Sequence, residues 1–376
     1  NFKKYFKKKK ESALIMRKQT KLVAVLSTAA LLAIGASMTS FAATGWAEED
    51  GTWVYYDRNG DKVTDKWAKS GNNWNYLDSN GEMAVDTLIE DGDNYYYVDI
   101  NGVMAANQWV AIDNEDAGQD DEPEHYWYYF QANGKALKQG DSDKVSLKTV
   151  NGKKYAFDDE GKMLYGWVND DSTLATDDSD WETAEYYMGS WEDGALKTGW
   201  QKVSVYDQDE DDDYDYWFNF KSNGKKRTAT TDKKINGKHY RFDERGVMVY
   251  EWALASGAAA SSSSVSNWQY FNSPEDGARV TKGWFKVVAP DDDNDNTFKD
   301  YGVTSFAPGD AEDENERWYY ADGDGELYAG EIKKIKGKYY GFYPEGTDKA
   351  GSMLTGLCAL RVDNSGNITK LWARDM

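Results

Sequence analysis

Tryptophan is the residue whose placement in this chain suggests chemistry, because it comes in pairs that fill two recurring slots. A lead position precedes a short aromatic run, and a second position stands inside the run, in most copies seven residues before a turn glycine. The pairs are Trp46 with Trp53, Trp67 with Trp74, Trp109 with Trp127, Trp200 with Trp217, Trp252 with Trp268, and Trp284 with Trp318. The two slots vary together: Leu88 in the lead slot goes with Tyr95 in the run, and where no lead Trp precedes, the run carries Lys154, His239 or Tyr339. Two indole faces, with phenols such as Tyr55, Tyr76, Tyr97 and Tyr129 beside them, can hold an organic cation or stack on a sugar ring. Covariation of large residues also fits two rings packing on each other. Presence or absence as a unit favours a ligand cage.

Other chemistry is sparse. Of the side chains that titrate near neutral pH without a large shift, the chain has only His125 and His239. His239 fills a slot held elsewhere by Lys154 and Tyr339, which marks a variable surface position, and His125 reads as a rim residue. The carboxylates are too many for any pair to stand out as a glycosidase pair. Asp207, Asp209, Asp211 and Asp213 alternate as calcium ligands do, but the run lacks the glycine an EF-hand loop needs, so these are read as solvated loops. The expectation is a non-enzymatic protein with no catalytic residue, no metal site and no cofactor.

The elements that must position the tryptophans are repeats. Gly60, Gly81 and Gly102 are spaced 21 residues apart, and Asp57, Asp78 and Asp99 each stand three residues before one of them. "WVYYDRNGDKV", "WNYLDSNGEMA" and "YYYVDINGVMA" each alternate aromatic and β-branched residues into a polar turn, which predicts two short antiparallel strands. An isolated hairpin is marginal in water, so the copies must bury a face against one another.

Farther on, hairpins of three types recur, for roughly eleven in all. The second type keeps Tyr155 with Phe157, Tyr240 with Phe242 and Tyr340 with Phe342 on one face, read as obligatory core. Lacking the Trp pair, second-type hairpins are expected to bind nothing. The first two hairpins, evenly spaced, are expected to bind most strongly.

The expected organisation is an upstream or extended basic segment over 1–15, a signal peptide over 16–42, regular repeats over 43–120, irregular repeats with acidic loops over 121–357, and a partial repeat or truncated end over 358–376. Met16, the basic Arg17, Lys18 and Lys21, and the apolar run Leu22 to Ile34 make the secretory signal. Removing residues 1–42 leaves 35 Lys and Arg (44 less nine) against 65 Asp and Glu (66 less one), a formal charge of −30. Such a chain does not seek nucleic acid. Cys358, the single cysteine, has no intrachain partner, so the fold rests on packing and repetition.

The stretch "GWAEEDGTWVYYDRNGDKVTDKW" resembles the cell-wall-binding, or choline-binding, repeat, and is similar to the repeats of glucan-binding proteins and glucosylating toxins. The resemblance runs from Gly45 to about Leu357. It implies an all-β solenoid of stacked β-hairpins, a superhelix with sites between neighbours built from the lead Trp, the Trp of the run and an aromatic of the next hairpin. It also implies a secreted protein of the cell wall or cell surface, held non-covalently to wall polymer, either choline-bearing teichoic acid or polysaccharide. After signal cleavage no membrane span is expected. Choline and glycan stay open as alternatives, as does the oligomeric state. So do two other roles: wall-anchoring module of a larger hydrolase or glucan-processing enzyme, and structural or adhesive spacer.

Overall fold

The structure is a computed structural model that describes residues 44–119, 122–140, 142–209, 211–258, 263–291, 295–299 and 305–373. The basic segment 1–15 and the expected signal peptide 16–42 lie outside the described residues. Those described form twelve two-stranded antiparallel sheets. Their only helical pieces are Pro308–Glu312 and the 3-10 turns Asp180–Glu182 and Val265–Asn267. The all-β expectation holds, and no described helix is long and apolar enough to cross a membrane.

The hairpins follow the turn chemistry of the repeat. In the first, the Asp57 Oδ1 accepts the backbone N–H groups of Asn59 and Asp61 at 2.8 and 3.0 Å. Asp78, Asp99, Asp158, Asp322 and Asp363 each accept the same two N–H groups, two and four residues on. A short carboxylate satisfying its own turn is why aspartate recurs three residues before the glycine.

The chain divides into two compact units, one of residues up to Thr87 with Val98–Met104, the other of Leu88–Tyr97 with Ala105 onward. The first unit holds hairpin 1 (Gly45–Glu49 with Thr52–Tyr56) and hairpin 2 (Lys66–Ser70 with Asn73–Leu77). Within it the N–H of Met83 donates to the carbonyl of Trp53 at 2.7 Å, and that of Met104 to the carbonyl of Trp74 at 2.9 Å.

Hairpin 3 pairs Thr87–Asp91 with Asn94–Val98. Hairpins 4, 5 and 6 of the second unit are Gln108–Asp113 with His125–Phe130, Lys148–Val150 with Lys153–Tyr155, and Trp167–Val168 with Tyr186–Tyr187. Hairpins 7, 8 and 9 are Gly199–Asp207 with Asp212–Phe220, Thr230–Ile235 with Lys238–Phe242, and Glu251–Leu254 with Trp268–Phe271. Hairpins 10, 11 and 12 are Gly283–Val287 with Arg317–Ala321, Ile332–Ile335 with Lys338–Gly341, and Cys358–Val362 with Ile368–Ala373. In hairpin 12, residues 358–373 close a pair of strands around an Asp363 turn.

The staple of the first unit recurs here. The N–H two residues after the turn glycine donates to the preceding hairpin: Met163 to the Trp127 carbonyl at 2.8 Å, Met248 to Trp217 at 2.9 Å. Met353 donates in the same way to Trp318 at 2.7 Å. These bonds link hairpins 5, 8 and 11 to hairpins 4, 7 and 10 and bring their core faces against those hairpins' tryptophans. That face is buried, with Phe130, Phe157, Phe218, Phe220, Phe242 and Phe342 at most 2% exposed.

The acidic loop at Asp207 differs from its expected solvated state. Asp207 is 1% exposed and accepts from the Tyr216 hydroxyl and Arg245 Nη1, each at 2.8 Å. Burial pushes its carboxyl up, but those two hydrogen bonds prevail and hold it below the usual range. It is a buried tie between hairpin 7 and the turn of hairpin 8, whereas Asp211 and Asp213 are exposed.

Candidate aromatic cages between hairpins

Every lead tryptophan except Trp200, which faces Asn219, faces a tyrosine across its own hairpin, and none faces the tryptophan of the run. In register Trp46 pairs with Tyr55, Trp67 with Tyr76, Trp109 with Tyr129 and Trp284 with Tyr320, while Trp53 pairs with Glu48 and Trp74 with Lys69. The rings meet edge to face, at 5.3 Å for Trp46 and Tyr55, 5.1 Å for Trp67 and Tyr76, and 5.2 Å for Trp109 and Tyr129. Since side chains alternate along a strand, the second tryptophan lies on the same face, displaced diagonally.

The structure joins to these pairs a third ring that the sequence assigned to the core. Trp109 meets Tyr155 of hairpin 5 at 4.9 Å and 62°. Trp200 meets Tyr240 of hairpin 8 at 4.8 Å and 63°, and Trp284 meets Tyr340 of hairpin 11 at 4.9 Å and 61°. Phe157, Phe242 and Phe342 close the floor at 5.9, 5.6 and 5.8 Å from the same three indoles. The second tryptophan stands at a right angle to the first, with Trp200 and Trp217 6.4 Å apart at 84° and Trp284 and Trp318 6.5 Å apart at 84°. Trp109, Trp127, Tyr155 and Met163 belong to one apolar cluster, and Trp200, Trp217, Tyr240 and Met248 to another. Second-type hairpins, expected to take no part, therefore supply one wall of each group.

Two of the three groups carry a carboxylate at the rim. The indole N–H of Trp127 donates to Glu192 Oε2 at 3.3 Å, and that of Trp217 to Glu275 Oε2 at 3.0 Å. Glu275 also accepts from Lys202 Nζ at 2.7 Å, and the bonds from Lys202 and then Trp217 hold its carboxyl below the ordinary value. Burial raises the phenols of Tyr155 and Tyr240, so both stay neutral at physiological pH. Neutral π-faces with a carboxylate nearby suit a cation.

Several expected site residues lie elsewhere. Trp252 and Trp268 are 0% and 1% exposed, in a core cluster with Phe285, Phe306 and Tyr319. The insertion before hairpin 10's second strand causes this, because Phe306 stands 5.4 Å from Trp252 and 6.4 Å from Trp268 and covers both. Tyr97 stacks on Phe130 at 6.1 Å, against a core cluster. In hairpin 2 the position six before the turn glycine, filled by Tyr155 and Tyr240 in later hairpins, holds the buried Asn75, whose amide donates to the Gly102 carbonyl at 2.6 Å. The even spacing of the first hairpins thus comes without the third ring at that place. Trp74 and Trp318 are the most open of the expected tryptophans, each 43% exposed.

The histidines are engaged. His125 lies 5.2 Å from Trp127 and 4.7 Å from Trp191, and His239 Nδ1 is 2.8 Å from Asp232 Oδ1. Among the described residues no group of three or more His, Cys, Asp or Glu is placed to hold a metal.

Sequence reasoning missed Tyr155, Tyr240, Tyr340, Glu192 and Glu275. The tyrosines had a signal: their constancy, attributed to core alone, also serves the neighbour's tryptophan.

Residues 43–87 and 63–109 match the family model of the choline-binding repeat. No curated protein matches the chain. Among solved structures it is similar to the modular autolysin LytC of Streptococcus pneumoniae, determined with a synthetic peptidoglycan ligand, at 19% identity and a TM-score of 0.42. That likeness covers 81% of this chain and 53% of the autolysin, so this chain spans about half of that relative's length. Choline binding protein F of the same species is similar at 20% identity and TM-score 0.41, over 87% of this chain and 98% of that one. CbpJ from S. pneumoniae TIGR4 is similar at 21% and 0.43, over 86% and 99%. At these values the likenesses say nothing about ligand or activity. Residues 43–109 thus carry choline-binding repeats, and two-stranded antiparallel hairpins continue after them among the described residues.

Proposed function

We propose that this chain is a secreted, non-catalytic attachment protein that holds a cell-wall polymer through its choline groups. The observation that carries the proposal is the threefold recurrence of one aromatic group, with the lead tryptophan 4.9, 4.8 and 4.9 Å from the tyrosine of the next hairpin. A trimethylammonium group has no N–H to donate and a large, weakly hydrated surface, so facing π-clouds suit it better than a hydrogen-bonding site. Glu192 and Glu275 favour a cation over a neutral glycan.

Trp46, Trp53, Trp67 and Trp74 add two further aromatic pairs. Each contact is weak; several on one chain, engaging a polymer with many choline groups, give avidity. The absence of catalysis is supported by two histidines, each engaged with neighbours.

The test is calorimetric titration of the exported chain with choline, and separately with neutral wall glycan, in high salt to suppress ion exchange with so acidic a protein. Saturable choline binding with more than one site per chain is expected. Glycan binding without choline binding would replace the proposal with the polysaccharide reading.

A further inference from the structure

A fourth aromatic group, which shares the lead indole and the ring of the next hairpin but takes its second indole from a connecting turn, lies between hairpins 6 and 7. Trp167 leads hairpin 6 and meets Tyr187 across it at 5.0 Å. It meets Phe218 of hairpin 7 at 5.0 Å and Phe220 at 6.0 Å, as Trp109 meets Tyr155 and Phe157. A second indole, Trp181 of the 3-10 turn Asp180–Glu182, is 3% exposed and stands 6.5 Å from Trp167 and 5.8 Å from Phe218. The lead indole, the second indole and the ring of the next hairpin are all present.

The difference is at the position two residues after the turn glycine. Hairpins 5 and 8 have Met163 and Met248 there; hairpin 7 has Lys226. The Lys226 Nζ is 5.1 Å from the centre of the Trp167 ring and 6.0 Å from those of Trp181 and Phe218. Its ammonium donates to the carbonyls of Trp181 at 2.6 Å and Glu182 at 2.9 Å, and the residue is only 5% exposed.

Resting on the proposed choline binding, we infer that the Trp167, Trp181 and Phe218 group is a cation cage filled by the chain's own lysine, and that Lys226 excludes a quaternary ammonium ligand from it. An ammonium held over three rings and fixed by two carbonyls leaves no room for a second cation, and its charge repels one. Burial lowers the amine to about 8, as expected of an ammonium withdrawn from water, and it remains charged at neutral pH. The residue two after the turn glycine thus selects which cages take ligand, methionine leaving them open and lysine closing them.

The test counts tetramethylammonium ions bound per chain by equilibrium dialysis in high salt. Lys226→Met is expected to gain one site, and Met163→Lys to lose one. In the unsubstituted protein, saturating tetramethylammonium is expected to shift the indole N–H resonances of Trp109 and Trp200 and leave that of Trp167 in place. A folded Lys226→Met chain with no added site, or a Trp167 shift in the unsubstituted protein, overturns the inference. Retention of every site in folded Met163→Lys does the same. The NMR readout decides even where a variant does not fold. If the unsubstituted protein binds no tetramethylammonium, the attachment proposal fails, whereas a gain from none to one in Lys226→Met still sustains the lysine plug.

Discussion

The indole N–H of Trp217 donates to Glu275 at 3.0 Å, and three hairpins earlier that of Trp127 donates to Glu192 at 3.3 Å. In both places the turn of the hairpin after next, hairpin 6 or 9, reaches across hairpin 5 or 8 to set an acid at the rim of an aromatic group. Glu275→Gln keeps the hydrogen-bond acceptor and removes the charge. Choline affinity at that cage is expected to fall by roughly two- to fivefold at low salt, with the gap narrowing as salt rises, because an exposed charge is readily screened. Titrations at two ionic strengths check it; an equal loss at both would assign the acid a steric role.

Tyr240 and Trp252 should separate binding from stability. Tyr240→Leu retains apolar volume but removes a π-face, so cation affinity at its cage should weaken by about 0.5 to 2 kcal/mol. Trp252→Ala empties a fully buried position and should cost roughly 3 to 5 kcal/mol of stability, with ligand affinity unchanged in the molecules that stay folded. Melting and calorimetry on both variants decide the assignment; a binding defect in folded Trp252→Ala would return that tryptophan to the site.

Asp158 gives a pH dependence of definite sign. Burial raises its carboxyl from 3.8 to about 6 against the opposing hydrogen bond from the Lys162 N–H. Between those values the folded chain binds more protons than the unfolded one, so this residue's contribution makes stability fall as pH rises from about 4 to about 6. Asp158→Asn keeps an acceptor for the turn and removes the ionisation. The stability difference, variant minus parent, should grow in the variant's favour across that window in denaturant titrations, and a flat difference would exclude the effect.

Gly246 and Gly237 both have positive φ, +92° and +87°, but only one is crowded. A Cβ on Gly246 would lie 2.9 Å from the Arg227 carbonyl oxygen, whereas one on Gly237 meets nothing within 4 Å. Gly237→Ala should cost about 1 to 2 kcal/mol, the backbone strain alone, and Gly246→Ala distinctly more, since backbone must move to admit the methyl. Paired denaturation curves measure the difference.

The sequence by itself determined the local units. An aspartate three residues before a glycine closes its own turn, and alternation with period two divides each strand into two faces; both depend on residues a few positions apart, so hairpins and repeats were legible in Trp53–Gly60 as in Asp322–Gly325. What only the tertiary structure decided is which ring faces which. Trp252 and Trp284 hold the same slot with the same tyrosine across the hairpin, yet Phe306, arriving from a distant insertion, buries the first beneath a core, while the second meets Tyr340 and the open Trp318. Tyr155 and Tyr240 are core residues of their own hairpins and walls for their neighbours' indoles, and Lys226 places its ammonium over rings of the preceding hairpin. Burial and cation contacts are set by whichever group stacking brings within a few ångströms, and sequence spacing within a repeat carries no record of that distance.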